Sequence, residues 1–311
     1  LQRNLRLPGG LEQSPLSAVQ LCMRLDLVCA QVLGLAVTAC KTVVSLAKHY
    51  RGKYLDALVS QIQSGFLVSV SSYLSTSGKE TGMLEDLDVG MLWLSLVTIR
   101  FRTVGEDPSF LKKSDGLRVN RLQNGHFAVE VPVTGGECDI LKEALGRAIQ
   151  AGFKPPQVEA PGGMIAEGVI VSASLCGVVF SQGVNEMQYL AASSFSSDLS
   201  VQANINYESM LRLERFVTTV VGNLNRNILR QSTQASSVGE IQVVVAALED
   251  QLNAVKQQVT VAMNDLYARN VNILFDASAL CRELSGIHAV LCKSGKDRTG
   301  QASTFEQARD L

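Results

Sequence analysis

The chain has 311 residues, which is enough for one large domain or two ordinary ones. Hydrophobic residues make up 46% of it, so it can bury a sizeable core and disorder throughout is excluded. The net charge of −1 argues against a general nucleic-acid binder, because such proteins carry a strong basic excess or a basic stripe.

The cysteines and histidines argue against a disulfide framework and against a metal cluster. The seven cysteines are odd in number and include no C-x-x-C pair, which favours free thiols in a reducing compartment. The three histidines are widely separated in the sequence. The charge-free stretch from Leu27 to Cys40 has 14 residues, whereas a membrane span needs about 20. We therefore expect a cytoplasmic protein that is at most peripheral to membranes and binds no nucleic acid.

The N-terminal part has the pattern of two helices. Ser14-Pro15 resembles an N-cap followed by proline at the first helical position, and apolar residues recur at helical spacing up to Leu46. A second helix, antiparallel to the first, is predicted from Lys53 to Leu74. We expect residues 1–80 to form a helical region and residues 81–311 to form a second domain.

Strands are predicted in the middle of the chain. A helix from Gly82 to Val97 is expected to pass into a strand at Thr98–Phe101. The pair Asn124-Gly125 is a strong turn signal and predicts a hairpin over Val119–Val133. The run Val169–Phe180 is strongly β-prone, which is typical of a buried strand.

Helices dominate the remainder, with one more strand near the end. The predicted helices are Glu137–Ala151, Ser200–Leu229, Glu240–Leu266 and Val271–Leu284, with a linker at Gln231–Gly239. Ile287–Leu291 is a short apolar run that predicts a strand, and Thr299 is expected to begin a final helix. The overall expectation is a helix-rich α/β protein.

The loop between this strand and this helix carries the chemistry. It reads Cys292-Lys293-Ser294-Gly295-Lys296-Asp297-Arg298-Thr299. Its C-x5-R spacing lets the backbone curl into a cradle whose N–H groups face one phosphate, and the following helix N-terminus adds positive partial charge. The spacing therefore predicts a domain of the cysteine-phosphatase type.

Each residue of the loop has an expected task. Cys292 is the predicted nucleophile; a free thiol titrates near about 8.5, and cationic surroundings lower this to roughly 3.5–7.5. Arg298 offers a planar fork of donors to the phosphate oxygens. Asp297 is the nearest candidate for the proton donor. The predicted substrate-binding residues are Lys293, Ser294, Gly295, Lys296 and Thr299, of which Thr299 can hydrogen-bond the sulfur.

The two lysines in the loop indicate the class of substrate. A phosphotyrosine site needs a single phosphate clamp, whereas Lys293 and Lys296 suit a substrate with several phosphates, such as an inositol ring. Two other predictions concern neighbouring blocks. Asn185 and Glu186 follow a predicted strand and are candidates to line the site, and Arg212 is expected to form a surface pair with Glu208.

The loop and three further blocks resemble the inositol polyphosphate 4-phosphatases. The family loop reads C-K-S-A-K-D-R-T, and bacterial secreted phosphoinositide phosphatases carry C-K-S-G-K-D-R-T-G, which is identical to residues 292–300. The three blocks are Val179–Gln188, Asn206–Leu213 and Asn270–Gly286, and their order favours the eukaryotic family. The resemblance covers roughly residues 165–311 well and the N-terminal half weakly.

The resemblance implies a phosphatase that works without a metal ion or other cofactor. It would remove the 4-phosphate of phosphatidylinositol 3,4-bisphosphate through a phosphocysteine, or act on a soluble inositol phosphate. Cys292 and Arg298 would keep their family roles, and likeness to myotubularin-type phosphatases implies Asp297 as general acid. The family domain continues well beyond the arginine, so we expect the catalytic domain to be C-terminally incomplete at residue 311.

Two alternatives remain from the sequence. One is a dual-specificity or tyrosine phosphatase, which would turn over phosphopeptides. The other is a catalytically inactive pseudophosphatase or truncated product that binds phosphoinositides without turnover.

Overall fold

The computed structural model describes residues 15–104, 116–122, 125–156, 168–183, 199–230, 235–267, 269–293, 299–300 and 304. In this part of the chain the principal helices are α1 Pro15–Tyr50, α2 Gly52–Ser64, α3 Lys79–Leu94, α4 Gly136–Gln150, α5 Leu199–Arg230, α6 Ala235–Asn264 and α7 Asn272–Glu283. The strands are β1 Phe66–Ser72, β2 Val97–Thr103, β3 Arg118–Arg121, β4 Phe127–Val133, β5 Val169–Ser181 and β6 Ile287–Leu291.

The six strands form one mixed sheet in the order β3-β4-β2-β5-β1-β6. Strand β1 lies between β5 and β6 and is parallel to both. Strand β2 is parallel to β4 but antiparallel to β5. The carboxyl ends of β5, β1 and β6 therefore meet at one edge of the sheet, which is the edge where ligands bind in open parallel sheets.

Helices cover both faces of the sheet. On one face, Val68 and Val70 of β1 pack in a core cluster with residues of α1 to α4. On the other face, Leu67 of β1 and Phe180 of β5 pack with residues of α5 to α7. Because side chains alternate along a strand, a strand that is covered on both faces is buried at nearly every position.

The first helix is apolar along most of its length. Within the described residues, one helical stretch, Gln20–Tyr50, is long and apolar enough to cross a membrane by its length and composition. It also packs against α2, α3 and α4, and it adds buried Ala36, Cys40 and Val44 to the first core cluster. Core helices of soluble proteins have the same composition, and a peripheral rather than spanning protein stays a prediction.

The second predicted helix is wrong over residues 66–72, which form β1. Helix α2 ends at Ser64, and the next residue, Gly65, has a φ of 99° that glycine adopts readily. A side chain there would also meet Ser174 of β5, whose carbonyl oxygen would lie 2.9 Å from the Cβ atom. All seven residues of β1 are buried. The helical region predicted for residues 1–80 thus contributes a strand to the same sheet as later residues.

Most other predicted elements are confirmed, with shifted ends. The hairpin forms from β3 and β4, and Gly125 in its turn has a φ of 79°. The buried strand appears as β5 and the strand before the cysteine loop as β6. The linker is wrong over residues 235–239, because α6 already begins at Ala235, while residues 231–234 lie outside the described part. The helix-rich α/β class is confirmed, and the cysteine-phosphatase type of fold stays a prediction.

Candidate functional site

Cys292 follows directly on β6 at the edge where three parallel strands end. Its residue is 7% exposed, and it packs in the core cluster between the sheet and helices α5 to α7. The preceding carbonyl of Leu291 accepts a hydrogen bond from the backbone N–H of Tyr73 at 2.9 Å, which fixes the end of β6 against the residue after β1. The cysteine is therefore placed by the sheet itself.

The two ends of the predicted phosphate loop are joined by a side-chain contact. The hydroxyl of Thr299 donates a hydrogen bond to the sulfur of Cys292, with an Oγ1–Sγ distance of 3.0 Å. Thr299 and Gly300 are helical, so the chain re-enters a helix where the sequence predicts one. A donor aimed at the sulfur stabilises the thiolate over the thiol, because it satisfies the charged form.

Lys293 makes an ion pair with a buried carboxylate from the N-terminal part of the chain. Its Nζ lies 3.7 Å from Oε1 of Glu80, whose side chain is 6% exposed, while the lysine side chain is 58% exposed. The other oxygen of Glu80, Oε2, accepts hydrogen bonds from the backbone N–H and the hydroxyl of Ser75 at 2.8 and 2.9 Å. Sequence reasoning missed Glu80 and Ser75, because nothing local marks them as neighbours of the loop.

A network of buried amides supports the end of β5. Asn206 of α5 accepts a hydrogen bond from the N–H of Ser181 at 2.7 Å and donates one to its carbonyl at 3.0 Å. Strand β2 pairs with β5 only up to Ser174, so these contacts replace a missing neighbour strand. Beyond Ser181, Gln182 accepts a hydrogen bond from the N–H of Asn270. The resemblance blocks at 206–213 and 270–286 thus contribute to the edge that bears the cysteine.

Two further polar side chains, those of His288 and Arg212, have structural partners. His288 of β6 contacts the hydroxyl of Ser71 through Nε2 at 2.9 Å. Arg212 is largely buried and donates to Asp88 of α3 at 2.9 Å, so its predicted surface position is wrong. The sequence pattern of α5 alone could not show that α3 lies beside this arginine.

Cys281 is a second buried thiol in the same core cluster as Cys292. Burial raises the pKa of the Cys281 thiol to about 12, against a smaller opposing effect of the nearby Arg282 charge and a hydrogen bond with Ser69. A thiol in this state is protonated at neutral pH and is a poor nucleophile. Cys281 therefore belongs to the core.

Several predicted site residues lie outside the described part of the chain. These are Ser294, Gly295, Lys296, Asp297 and Arg298 in the loop, and Asn185 and Glu186 after β5. Their roles stay predictions. The described loop residues are Cys292, Lys293 and Thr299, and the structure brings the first and the last into contact.

The described part is thus a helix-rich α/β protein with a buried cysteine at the carboxyl edge of a mixed sheet. A family model described as INPP4A C-terminal domain matches residues 12–311, and the chain belongs to this family. The resemblance to inositol polyphosphate 4-phosphatases is therefore confirmed.

Curated relatives agree with this family. The chain is 27% identical over 294 residues to the human (Homo sapiens) inositol polyphosphate 4-phosphatase type II, a match that covers 94% of this chain and 26% of the relative. It is 25% identical to the type II inositol 3,4-bisphosphate 4-phosphatase of Rattus norvegicus. This match also extends over 294 residues and covers the same shares of the two chains. The chain spans about a quarter of the length of these relatives.

Proposed function

We propose that this chain carries the active site of a phosphoinositide phosphatase that removes the 4-phosphate of phosphatidylinositol 3,4-bisphosphate. The observation that carries the proposal is the hydrogen bond from Thr299 to the sulfur of Cys292, which closes the C-x5-R segment between a strand and a helix. The names of the curated relatives support the inositol substrate.

The first chemical step is attack of the Cys292 thiolate on the phosphorus of the 4-phosphate. A sulfur–phosphorus bond forms while the bond between phosphorus and the ring oxygen breaks, and Asp297 gives its proton to that oxygen. Arg298 and the loop N–H groups bind the phosphate oxygens and hold them best in the transition state. The products of this step are phosphatidylinositol 3-phosphate and a phosphocysteine.

In the second step water attacks the phosphocysteine. Asp297, now ionised, takes a proton from the water, the sulfur–phosphorus bond breaks, and inorganic phosphate leaves with the thiolate restored. Lys293 and Lys296 bind phosphates of the substrate, and two cations in the loop suit a ring that carries two phosphates.

Phosphate release from a panel of phosphoinositide isomers tests the proposal. Wild-type chain is expected to release phosphate from phosphatidylinositol 3,4-bisphosphate and leave the 3-phosphate. Cys292→Ser is expected to abolish release but keep binding. Cys22→Ser is the matched control, because Cys22 is an exposed cysteine on α1, and it is expected to retain full release. Turnover that survives in Cys292→Ser would refute the assignment.

Phosphopeptides assayed beside the same panel of phosphoinositides separate the alternatives. A dual-specificity or tyrosine phosphatase would hydrolyse phosphopeptides as fast as the lipid. A binding module or truncated product would bind phosphoinositides with no release from any isomer. We further propose a cytoplasmic enzyme with peripheral membrane contact, for which sedimentation with vesicles that contain the lipid substrate is the test.

A further inference from the structure

Glu80 is a buried carboxylate at the start of α3. It lies in the first helical turn, where the helix dipole favours a negative charge. Its residue is 4% exposed, and a carboxylate at such a depth needs partners that stabilise its charge. Two donors from Ser75 satisfy Oε2, so this oxygen is fixed to the segment that follows β1.

The second oxygen of Glu80 faces the loop. Oε1 lies 3.7 Å from the Nζ atom of Lys293, the residue that follows the predicted nucleophile. Strand β1, which precedes Ser75, pairs directly with β6, which precedes Lys293. The paired strands therefore place the segment that binds the carboxylate beside the backbone of Lys293.

We propose that Glu80 is a positioning residue that holds the ammonium of Lys293, the residue after Cys292, in place before the substrate binds. This inference rests on the proposed function, in which Lys293 binds a substrate phosphate. A lysine side chain has a flexible four-carbon stem, so an ion pair on its buried side restricts where the charge lies before the substrate arrives. The ordered ammonium then binds the ring phosphate that does not react.

The carboxylate also has an opposing effect, because its negative charge repels a phosphate. Glu80 is buried and bound to Ser75, while more than half of the Lys293 side chain is exposed. The substrate phosphate approaches the exposed side of the lysine, so the ammonium separates the two anions. We therefore expect positioning to outweigh repulsion, so that loss of the carboxylate raises KM.

The positioning role of Glu80 predicts how its substitution changes KM and kcat. A lysine that binds a non-reacting phosphate stabilises the ground state and the transition state alike, so its disorder raises KM and leaves kcat unchanged. Glu80→Gln is expected to raise KM for phosphatidylinositol 3,4-bisphosphate by about 3-fold to 5-fold, in the range of a half-exposed ion pair. The matched control is Glu143→Gln, which removes a carboxylate from an ion pair on α4 with Arg147 and is expected to leave KM unchanged.

A double-mutant cycle with Lys293→Met separates positioning from a structural role. Once the ammonium is gone, Glu80→Gln is expected to change KM by less than about 1.5-fold, because the proposal has Glu80 act on the substrate through its ion pair with Lys293. An equal KM increase in both backgrounds, a fall in kcat alone, or a lower KM in Glu80→Gln would overturn the inference. Should Glu80→Gln fail to fold, Ser75→Ala removes one hydrogen bond to the same carboxylate and replaces Glu80→Gln in the double-mutant cycle.

The same double-mutant cycle can also be measured without catalysis. It is repeated on the Cys292→Ser chain with the dissociation constant of dioctanoyl phosphatidylinositol 3,4-bisphosphate as the readout. If wild-type chain releases no phosphate but the binding cycle shows the coupling, the proposed catalytic function fails and the positioning role stands. Uncoupled binding effects overturn the positioning role, and an absence of lipid binding by wild-type chain overturns both.

Discussion

Thr299 donates its hydroxyl hydrogen bond to the sulfur of Cys292, at an Oγ1–Sγ distance of 3.0 Å. Thr299→Val removes this donor, so the thiolate becomes less stable relative to the thiol and the pH midpoint of alkylation moves upward. We expect iodoacetamide to modify Cys292 more slowly at pH values below the alkylation midpoint of wild-type chain, as measured by peptide mass spectrometry over a series of pH values.

Two control variants accompany the alkylation measurement. Thr299→Ser retains the hydroxyl and is expected to restore alkylation. Thr304→Val removes an exposed hydroxyl that donates to the carbonyl of Gly300, and it is expected to have no effect. Unchanged alkylation of Cys292 in Thr299→Val would show that the contact does not influence the sulfur.

The ion pair between Arg212 and Asp88 joins α5 to α3. Their side chains are 11% and 8% exposed, and Nη2 of Arg212 also donates to the hydroxyl of Ser209. Arg212→Met leaves the buried charge of Asp88 without this cation, and we expect the free energy of unfolding to fall by about 3–5 kcal/mol. Urea unfolding measures the change.

The companion variants test whether burial is the reason. Adding Asp88→Asn to Arg212→Met is expected to recover part of the loss, since the double variant no longer buries a charge there. Arg147→Met breaks pairs with Glu143 and Asp56 at the surface and is expected to cost less than about 1 kcal/mol. Equal losses in Arg212→Met and Arg147→Met would contradict the argument.

Local signals explain which elements the sequence predicts well. The hairpin has Asn124-Gly125, and the run Val169–Phe180 is β-prone over a strand's length, so β4 and β5 need no knowledge of distant residues. Strand β1 differs. It follows an amphipathic helix after one glycine, and its own FLVSVSS sequence continues the apolar pattern, so only its pairing with β5 and β6 reveals it as a strand.

The candidate site also has residues that local sequence predicts and residues that only the fold brings together. The C-x5-R spacing and the predicted strand before it identify Cys292 and Thr299 as neighbours across a loop, because both lie in one short segment. Glu80 and Lys293 are far apart in the sequence, and the pairing of β1 with β6 brings them together. Long-range strand order is the information that periodicity does not contain.

Gly177 of β5 lies against the backbone of α3. A Cβ atom at this position would be 2.3 Å from the carbonyl oxygen of Met91, and backbone atoms of a packed helix cannot move aside at low cost. We expect Gly177→Ala to lower the free energy of unfolding by about 3 kcal/mol. Gly222→Ala is the control, since nothing lies within 4 Å of the added atom in α5.

The control variant Gly222→Ala is itself expected to change the free energy of unfolding. Alanine has a higher helix propensity than glycine, so Gly222→Ala is expected to raise the free energy of unfolding by about 0.5–1 kcal/mol in the same urea titration. A neutral Gly177→Ala would mean that β5 and α3 are not packed as closely as described, and a loss in Gly222→Ala would mean that the space beside Gly222 is not open.

Cys281 makes stability depend on alkaline pH. Burial raises the pKa of this thiol from 9.0 to about 12, so between these values the folded chain keeps a proton that the unfolded chain loses. The contribution is fully present below pH 9 and is lost as the pH rises toward 12, since the unfolded state binds fewer protons there. Cys281→Ala is therefore expected to lose less stability than wild-type chain between pH 9 and 11, as measured by urea midpoints at each pH. Cys22→Ala, which removes an exposed thiol, is expected to follow wild-type chain, and a Cys281→Ala slope as steep as that of wild-type chain would contradict the burial of the thiol.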